Sequence, residues 1–325
     1  MPGSIHERQK AGLIGPVRTL RTEVTRFVSE RGRLSEKPWY ASTIWYDSEV
    51  NPTEQLTHNP NGTVARATYL YDASGRLSEM RGELDGVSSG RTIYLYDDEG
   101  RLSYELSLRA DGSEGRQTRR FYQPDGSYTE EFTLNQTPGE ATALAPVDAS
   151  GETTLAEHAS FIRTYRDPAG QPLEMRFYDA SGGLLYRFVY HYNARGILTD
   201  MEQRTGDQPL FELPAGTERA APLLGDFAAL FSPDTAISTV RYRYDEHGRR
   251  IEAATWMGAN CIDRRTFAYN ERGDKMAEQR YGADGNLQSE IVYQRDYDER
   301  GNWVRERVLE AGVPANATRR TIAYE

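Results

Sequence analysis

Aliphatic side chains are scarce in this chain. Leu, Ile, Val and Phe together supply 59 of 325 residues, while the net charge is −10 and the mean hydropathy −0.73. Such a composition borders on that of disordered chains, which bury too little apolar surface to offset their conformational entropy. It argues against helix bundles and against parallel α/β sheets, whose buried strands need long Val/Ile/Leu runs. Long apolar runs are also missing. Stretches such as Phe227-Ala228-Ala229-Leu230-Phe231 are far too short for a membrane-spanning helix, so no transmembrane segment is expected. Residues 1–12, MPGSIHERQKAG, contain no apolar h-region; they read as a flexible N-terminus without a signal peptide. Cys261 stands alone, which excludes an internal disulfide framework and a cysteine-based zinc site. Basic residues are outnumbered, with 39 Lys and Arg against 49 Asp and Glu, so nucleic acid is not an expected partner.

What the chain has instead is aromatic rings. Its 21 Tyr and 4 Trp raise the bulky apolar set to 84 of 325 residues, and each ring buries a large area. Many of these rings sit in a repeated unit. Tyr71-Asp72-Ala73-Ser74-Gly75-Arg76-Leu77 is echoed by Tyr96-Asp97-Asp98-Glu99-Gly100-Arg101-Leu102. Looser copies begin at Tyr122, at Tyr178-Asp179 (closing at Gly182), and at Tyr192. The C-terminal third adds Tyr244-Asp245 to Gly248, copies from Tyr269 and Tyr281, and Tyr297-Asp298 to Gly301. Two degenerate copies, His58-Asn59 to Gly62 and Arg166-Asp167 to Gly170, lack the Tyr, which makes eleven units in all.

The spacing has a chemical reason. Asp or Asn opens a type I turn because its side chain bonds the backbone two residues on. Gly three residues later supplies the left-handed conformation that closes a three-residue hairpin loop with a bulge. The predicted register sets Asp97 opposite Arg101, Tyr96 opposite Leu102 and Tyr94 opposite Tyr104. By the same rule Tyr122 faces Tyr128, Tyr178 faces Leu184 and Tyr297 faces Trp303. Beyond the turn, Leu102, Tyr104, Leu106 and Leu108 alternate with polar residues, the period of a half-buried strand. Where the anchors stand about 25 apart, an extra strand pair fits, turning at sites such as Leu84-Asp85-Gly86 or Ala110-Asp111-Gly112.

The expected fold is therefore all-β, a long antiparallel meander of repeated hairpins in a curled or spiral sheet, shell-like or a partly open barrel, that buries its Tyr face. Residues 13–325 are expected to form one such domain. It has two insertions: a polar loop at about 135–158, and a Pro-rich stretch at about 204–236 with one short helix capped by Asp226.

The unit Tyr-Asp-x-x-Gly-Arg-Leu resembles the YD repeat of the RHS/YD-repeat proteins, and Tyr69-Leu-Tyr-Asp and Tyr242-Arg-Tyr-Asp match its Tyr-x-Tyr-Asp form. Gly12-Leu-Ile-Gly-Pro-Val-Arg18, with the alternation that follows it, is similar to the opening strand of short stand-alone bacterial members. The resemblance covers roughly residues 55–305. It implies a β-sheet that spirals or curls into a shell, and large relatives enclose a toxin domain or bind carbohydrate. This chain ends just past TRRTIAY, so no C-terminal toxin is expected to follow, and it is short for a closed cocoon around a passenger. Secreted or envelope-associated placement follows from the resemblance alone.

Candidate sites are few. His6, His58, His158, His191 and His247 are scattered, and none forms a metal-binding pair. The turn acids are too few per turn for calcium, so neither a metal nor a cofactor is expected. Nucleophile elbows and phosphate loops are absent. The residues singled out for ligand binding are Trp45, His191, Trp256 and Trp303, with carbohydrate or another protein as the partner. The leading expectation is a non-enzymatic scaffold with a binding or structural role at the bacterial envelope or in toxin delivery. The alternatives are a carbohydrate-binding module using exposed Tyr and Trp, and a glycan-acting hydrolase with an unrecognised carboxylate pair.

Overall fold

The computed structural model describes residues 13–30, 33–133, 159–207 and 234–324. Both insertions, the short helix expected after Gly225 and the N-terminal residues 1–12 lie wholly or mainly outside them. Every regular element described is a β-strand. In order, these are β1 (Val17–Glu30), β2 (Arg33–Tyr46), β3 (Pro52–His58), β4 (Val64–Tyr71), β5 (Leu77–Leu84), β6 (Val87–Tyr96) and β7 (Leu102–Arg109). Next come β8 (Glu114–Tyr122), β9 (Tyr128–Thr133), β10 (Phe161–Arg166), β11 (Pro172–Tyr178), β12 (Leu184–Tyr192) and β13 (Leu198–Thr205). The last seven are β14 (Ala236–Tyr244), β15 (Arg250–Met257), β16 (Asn260–Tyr269), β17 (Lys275–Gly282), β18 (Leu287–Tyr297), β19 (Trp303–Glu310) and β20 (Val313–Tyr324). Neighbours in sequence pair antiparallel, so the fold is the expected meander of hairpins.

Contacts divide the chain into two compact units, residues 1–115 with 290–325, and residues 116–289. In the first unit β20 returns to pair with β1, from Val17 opposite Tyr324 to Arg26 opposite Asn316. A small core of Leu13, Val17, Leu20 and Tyr46 seals this junction, with Ile44, Val50, Ile322 and Tyr324 packed against it. Beside it Asn302, fully buried, holds the chain just before β1 in the manner of a strand partner. Its Oδ1 accepts the Ile14 N–H at 2.6 Å, and its Nδ2 donates to the Ile14 carbonyl at 2.9 Å.

The second unit shows how a chain poor in aliphatics makes a core. Phe132, Ile162, Phe177, Tyr186 and Thr205 form one row across β9 to β13. Phe177 and Tyr186 stack at 4.3 Å, Phe188 meets both edge-on, and Met201, Val240 and Ala253 complete the cluster. Shifted by one residue is a second row, Arg119, Glu131, Arg163, Arg176, Arg187 and Arg204. Side chains alternate across a strand, so one face carries rings and the other guanidinium groups bridged by carboxylates.

The turns follow one geometry. In each unit the Asp-position N–H bonds the carbonyl four residues on, and the Gly N–H bonds back to the Asp-position carbonyl, as for Asp72 and Gly75 at 2.8 and 2.9 Å. All eleven sequence units do this, and so do Asp47–Asn51 and Arg109–Ser113. In the first of those Val50 takes the glycine place at φ +62°. A β-branched residue there is strained, and Val50 offsets the strain by packing on the terminal core.

The registers Tyr96–Leu102, Tyr122–Tyr128, Tyr178–Leu184 and Tyr297–Trp303 are present. One expectation fails: Tyr94 faces Glu105, and Tyr104 faces Leu95. A bulge at Ser103 is the cause, its hydroxyl donating to the Leu95 carbonyl at 3.2 Å. The same bulge recurs at Thr53, Ser78 and Thr199, so His191 faces Asp200 rather than Thr199. The Tyr face is also less buried than expected. Tyr46 and Tyr186 are buried, whereas the anchors Tyr71, Tyr96, Tyr178, Tyr244 and Tyr297 are half-buried.

Two stability predictions follow from this geometry. Gly100 sits at φ +78°, and a Cβ there would meet Arg76 Nη1 at 3.1 Å. Gly100→Val should cost about 2 kcal/mol or more, read as a lowered midpoint in urea; an unchanged midpoint would count against the left-handed turn. Asn302→Ala leaves the Ile14 N–H and carbonyl without their partner and should cost about 1–3 kcal/mol. Hydrogen exchange at Ile14 should accelerate in that variant by more than at β5 or β6.

Candidate binding cleft

The conspicuous residues of the repeat are engaged in joining one hairpin to the next. Tyr96 Oη donates to the Leu77 carbonyl at 2.8 Å, and Tyr71 to Pro52, Tyr192 to Pro172 and Tyr269 to Arg250 at 2.7–2.8 Å. The Arg of the preceding unit lies over the ring, Arg76 on Tyr96 at 4.4 Å and Arg249 on Tyr269 at 5.2 Å. That Arg is held in turn by its own Asp, as in Arg76 to Asp72 at 2.8 Å. A hydroxyl, a ring face and a guanidinium therefore act together, and phenylalanine could not supply the first.

The turn acids are held below the usual carboxylate range. For Asp72 the main cause is the Arg76 N–H, with the Arg76 guanidinium adding to it against a desolvation cost. For Asp97 and Asp245 burial pushes upward, but the N–H and guanidinium of Arg101 and Arg249 outweigh it. Asp179 is lowered first by the Ser181 hydroxyl and then by the Gly183 N–H. Asp298 meets burial first, outweighed by the Tyr324 hydroxyl and the Asn302 N–H.

The four residues singled out for binding are not brought together. Trp45 and Trp303 lie in the first unit, His191 and Trp256 in the second. Trp45 is 36 % exposed on β2, opposite Thr19 and Glu54. Trp303 is capped by Arg320 at 3.5 Å; burial brings that guanidinium down to about 10, against the pull of Glu306. Arg241 lies over Trp256 at 4.9 Å, and the Trp256 indole N–H is buried without a hydrogen-bond partner among the described residues. His191 is exposed, 3.7 Å from Glu202. Among the described residues no group of three or more His, Cys, Asp or Glu is placed to hold a metal ion.

A concave site appears elsewhere, in the first unit, at the strand ends away from the Tyr71 and Tyr96 turns. It is a cleft of about 520 Å³ whose lining includes Glu23, Glu36, Trp39, Tyr40, His58, Arg305 and Arg319. Its shape comes from β1 and β2, which run on past the point where β3 ends opposite Ala41. A bulge where Thr25 faces Pro38 leaves Trp39 as the extra residue, with Arg26 over one face of its ring at 3.4 Å. Pro38 fits there because the outer part of β2 has β1 as its strand partner and needs no donor on the other side. Glu23 is bonded to Arg21 at 2.8 Å, and Glu36 accepts from the Thr25 hydroxyl at 2.9 Å. Sequence reasoning passed over this site. The available signal was Lys37-Pro38-Trp39-Tyr40, a proline and two adjacent rings inside a strand of otherwise alternating pattern.

No family model and no curated protein matches the sequence. Among solved structures, one similar to this chain is TcdB2-TccC3 without its hypervariable C-terminal region, at 12% identity and TM-score 0.34. That match covers 98% of this chain and 17% of the other, so the chain spans about a sixth of that protein's length. A porin-like protein from Bacteroides uniformis is similar at 10% identity and TM-score 0.33, covering 93% of this chain and 96% of that one. A LolA superfamily protein from Nitrosomonas europaea is similar at 11% identity and TM-score 0.20, covering 67% and 97%. No helix of the described residues is long and apolar enough to cross a membrane.

The lowered turn acids fix an acid limb of stability. A carboxylate whose folded pKa is depressed contributes stability above its unfolded value of about 3.9, and loses it as pH falls through the folded value. Thermal midpoints should thus be level above about pH 5 and fall below about pH 4. Asn193 and Asn270 already accept two backbone N–H bonds each through Oδ1 without ionising. Asp72→Asn with Asp245→Asn should flatten the acid limb while lowering the neutral-pH midpoint slightly, and scanning calorimetry from pH 2.5 to 7 reads both.

Proposed function

We propose that this chain is a non-enzymatic YD-repeat scaffold whose role is binding, at the bacterial envelope or in a toxin-delivery setting. The observation that supports it is the use of the repeat. Tyr, Arg and Asp side chains of the motif contact a neighbouring hairpin or their own turn, as in Tyr96–Leu77, Arg76–Tyr96 and Asp72–Arg76. Such a sheet is a rigid support, and rigid supports hold binding residues at fixed spacing. The setting rests on the motif resemblance.

Carbohydrate is the favoured partner, because Trp39 and Tyr40 are adjacent on β2 and 36 % and 38 % exposed. Exposed rings of this kind present flat apolar faces with polar tips. On a glycan array, binding should appear and be lost in Trp39→Ala and Tyr40→Ala, with Trp256→Ala unaffected. Release of new reducing ends from a bound glycan, abolished by Glu36→Gln, would replace this reading with the hydrolase.

A further inference from the structure

Past the end of β3, strand pairing in the first unit narrows to β1 and β2. The last pair of β2 with β3 is Ala41–His58, and the last of β1 with β20 is Arg26–Asn316. From there β1 and β2 run on paired to each other, through Phe27–Glu36, Val28–Ser35 and Ser29–Leu34 to Glu30–Arg33. Every residue from Arg33 to Tyr40 except Ser35 is exposed, and so are Arg26 and residues 28–30 of β1. The two strands form a ribbon open to solvent on both faces.

Such a ribbon should be polar on both faces, and this one is apolar on both. Side chains alternate across a strand, so Val24–Tyr40, Arg26–Lys37 and Val28–Ser35 share one face, while Thr25–Pro38, Phe27–Glu36 and Ser29–Leu34 share the other. Trp39, the extra residue of the bulge, joins the first face, where Arg26 lies on its ring. Val28, Leu34, Trp39 and Tyr40 are exposed and Phe27 is half-buried. Single exposed apolar residues are ordinary; five on one ribbon, divided between its faces, mark a contact surface. The outer edge of β2 is meanwhile closed to a further strand. Pro38 offers no N–H, Lys37 is charged and the bulge at Trp39 breaks the ladder, the devices that keep sheet edges from pairing. Turn tips at the same end of the unit are apolar too. Val87 and Val313 are 70 % and 55 % exposed beside the Asp85-Gly86 and Ala311-Gly312 turns, whereas the opposite end carries Asp72-Ala73-Ser74-Gly75-Arg76 and its copies.

We propose that this ribbon inserts into the headgroup layer of a phospholipid bilayer. A flat protein surface would cover one face and leave the other wet, and a partner strand is barred at the β2 edge. A bilayer interface surrounds both faces at once. Water in that layer still reaches the backbone groups of the free edges, which the hydrocarbon core would leave unsatisfied. Trp39 and Tyr40 stand at the neck of the ribbon, and rings of this kind favour the membrane–water boundary. Over the described part of the ribbon Arg26, Arg33 and Lys37 outnumber Glu30 and Glu36, in a chain of net charge −10. Their long stems lie along apolar surface while the charged heads reach lipid phosphates. The inference goes beyond the carbohydrate reading and does not rest on it, because Val28 and Leu34 can be changed with Trp39 and Tyr40 left in place.

The test is flotation of the full chain with vesicles of phosphatidylcholine and phosphatidylglycerol, joined to quenching of tryptophan fluorescence by the same lipids brominated near the headgroup end of their acyl chains. The chain should float with the vesicles and part of its fluorescence should be quenched, the part that Trp39→Phe removes. Val28→Ser combined with Leu34→Ser should weaken partition about tenfold or more. Both residues are exposed, so the thermal midpoint of that variant should stay at the wild-type value, and misfolding is thereby separated from lost binding. Ile262→Ser, exposed in the second unit, should change neither reading. Absence of flotation overturns the proposal, and so does flotation that the Val28 and Leu34 variant leaves intact. Flotation abolished by salt and never accompanied by quenching is electrostatic adsorption, and overturns insertion. A dimer in ultracentrifugation that the same variant breaks, with no vesicle bound, makes the ribbon a contact between copies instead. Glycan binding is read on Trp39→Ala and Tyr40→Ala, so either reading can fail alone.

Discussion

The fold depends on the bond between a tyrosine hydroxyl and the backbone of the hairpin before it. A lone two-stranded hairpin is marginal in water, and this chain has too few aliphatics to pack each one under a second layer. The anchor Tyr solves the problem within the sheet. Its hydroxyl caps a carbonyl at the first strand residue after the preceding turn, and its ring seats the preceding Arg. That Arg is fixed by an Asp whose other oxygen organises the turn. Local turn, strand register and hairpin-to-hairpin contact are thus set by the same few side chains, the agreement between levels that makes a sequence foldable.

This arrangement explains the odd composition. Rings are needed at strand ends, arginines to stack on them, and acids to hold the arginines, so Tyr, Arg and Asp take places that Leu and Val fill in an ordinary core. In the second unit the ring row with Phe177 and Tyr186 is backed by the arginine row with Arg176 and Arg187. Partly buried ion pairs of that kind return little net stability each. Their contribution is to let one face of a sheet carry bulky charged residues in register, which a facing arginine row would otherwise forbid.

Much of this was legible in the sequence because the turn signal is chemical and local. Asp-x-x-Gly fixes a hairpin loop, and the loop fixes the first strand pair, so Tyr96–Leu102 and Tyr297–Trp303 could be read directly. The second pair could not, because Ser78, Ser103 and Thr199 form bulges that alternation alone does not reveal. The turn at Asp47 was hidden by Val50, whose positive φ is tolerated through packing against residues distant in sequence. Trp256 and Trp303 drew attention as rare residues, yet both are half-buried with an arginine over one ring face, Arg241 and Arg320, whereas Trp39, which also carries an arginine on one face, is exposed. How far each tryptophan is exposed depends on strand pairing and bulges, and that is a property of register.

The cleft follows from the same constraint by exception. At the Tyr71 and Tyr96 turns the conspicuous groups already have partners within the sheet. At the other strand ends of the first unit, β1 and β2 outrun β3, and among the described residues Arg305 and Arg319 are in no ion pair although Asp296 and Glu23 stand opposite them. There side chains are released from structural work: Trp39 is extruded by a bulge, and two arginines face each other outside any ion pair among the described residues. A scaffold built from self-satisfying units has side chains to spare only beyond its turns, and in the first unit the overhang of β1 and β2 is such a place.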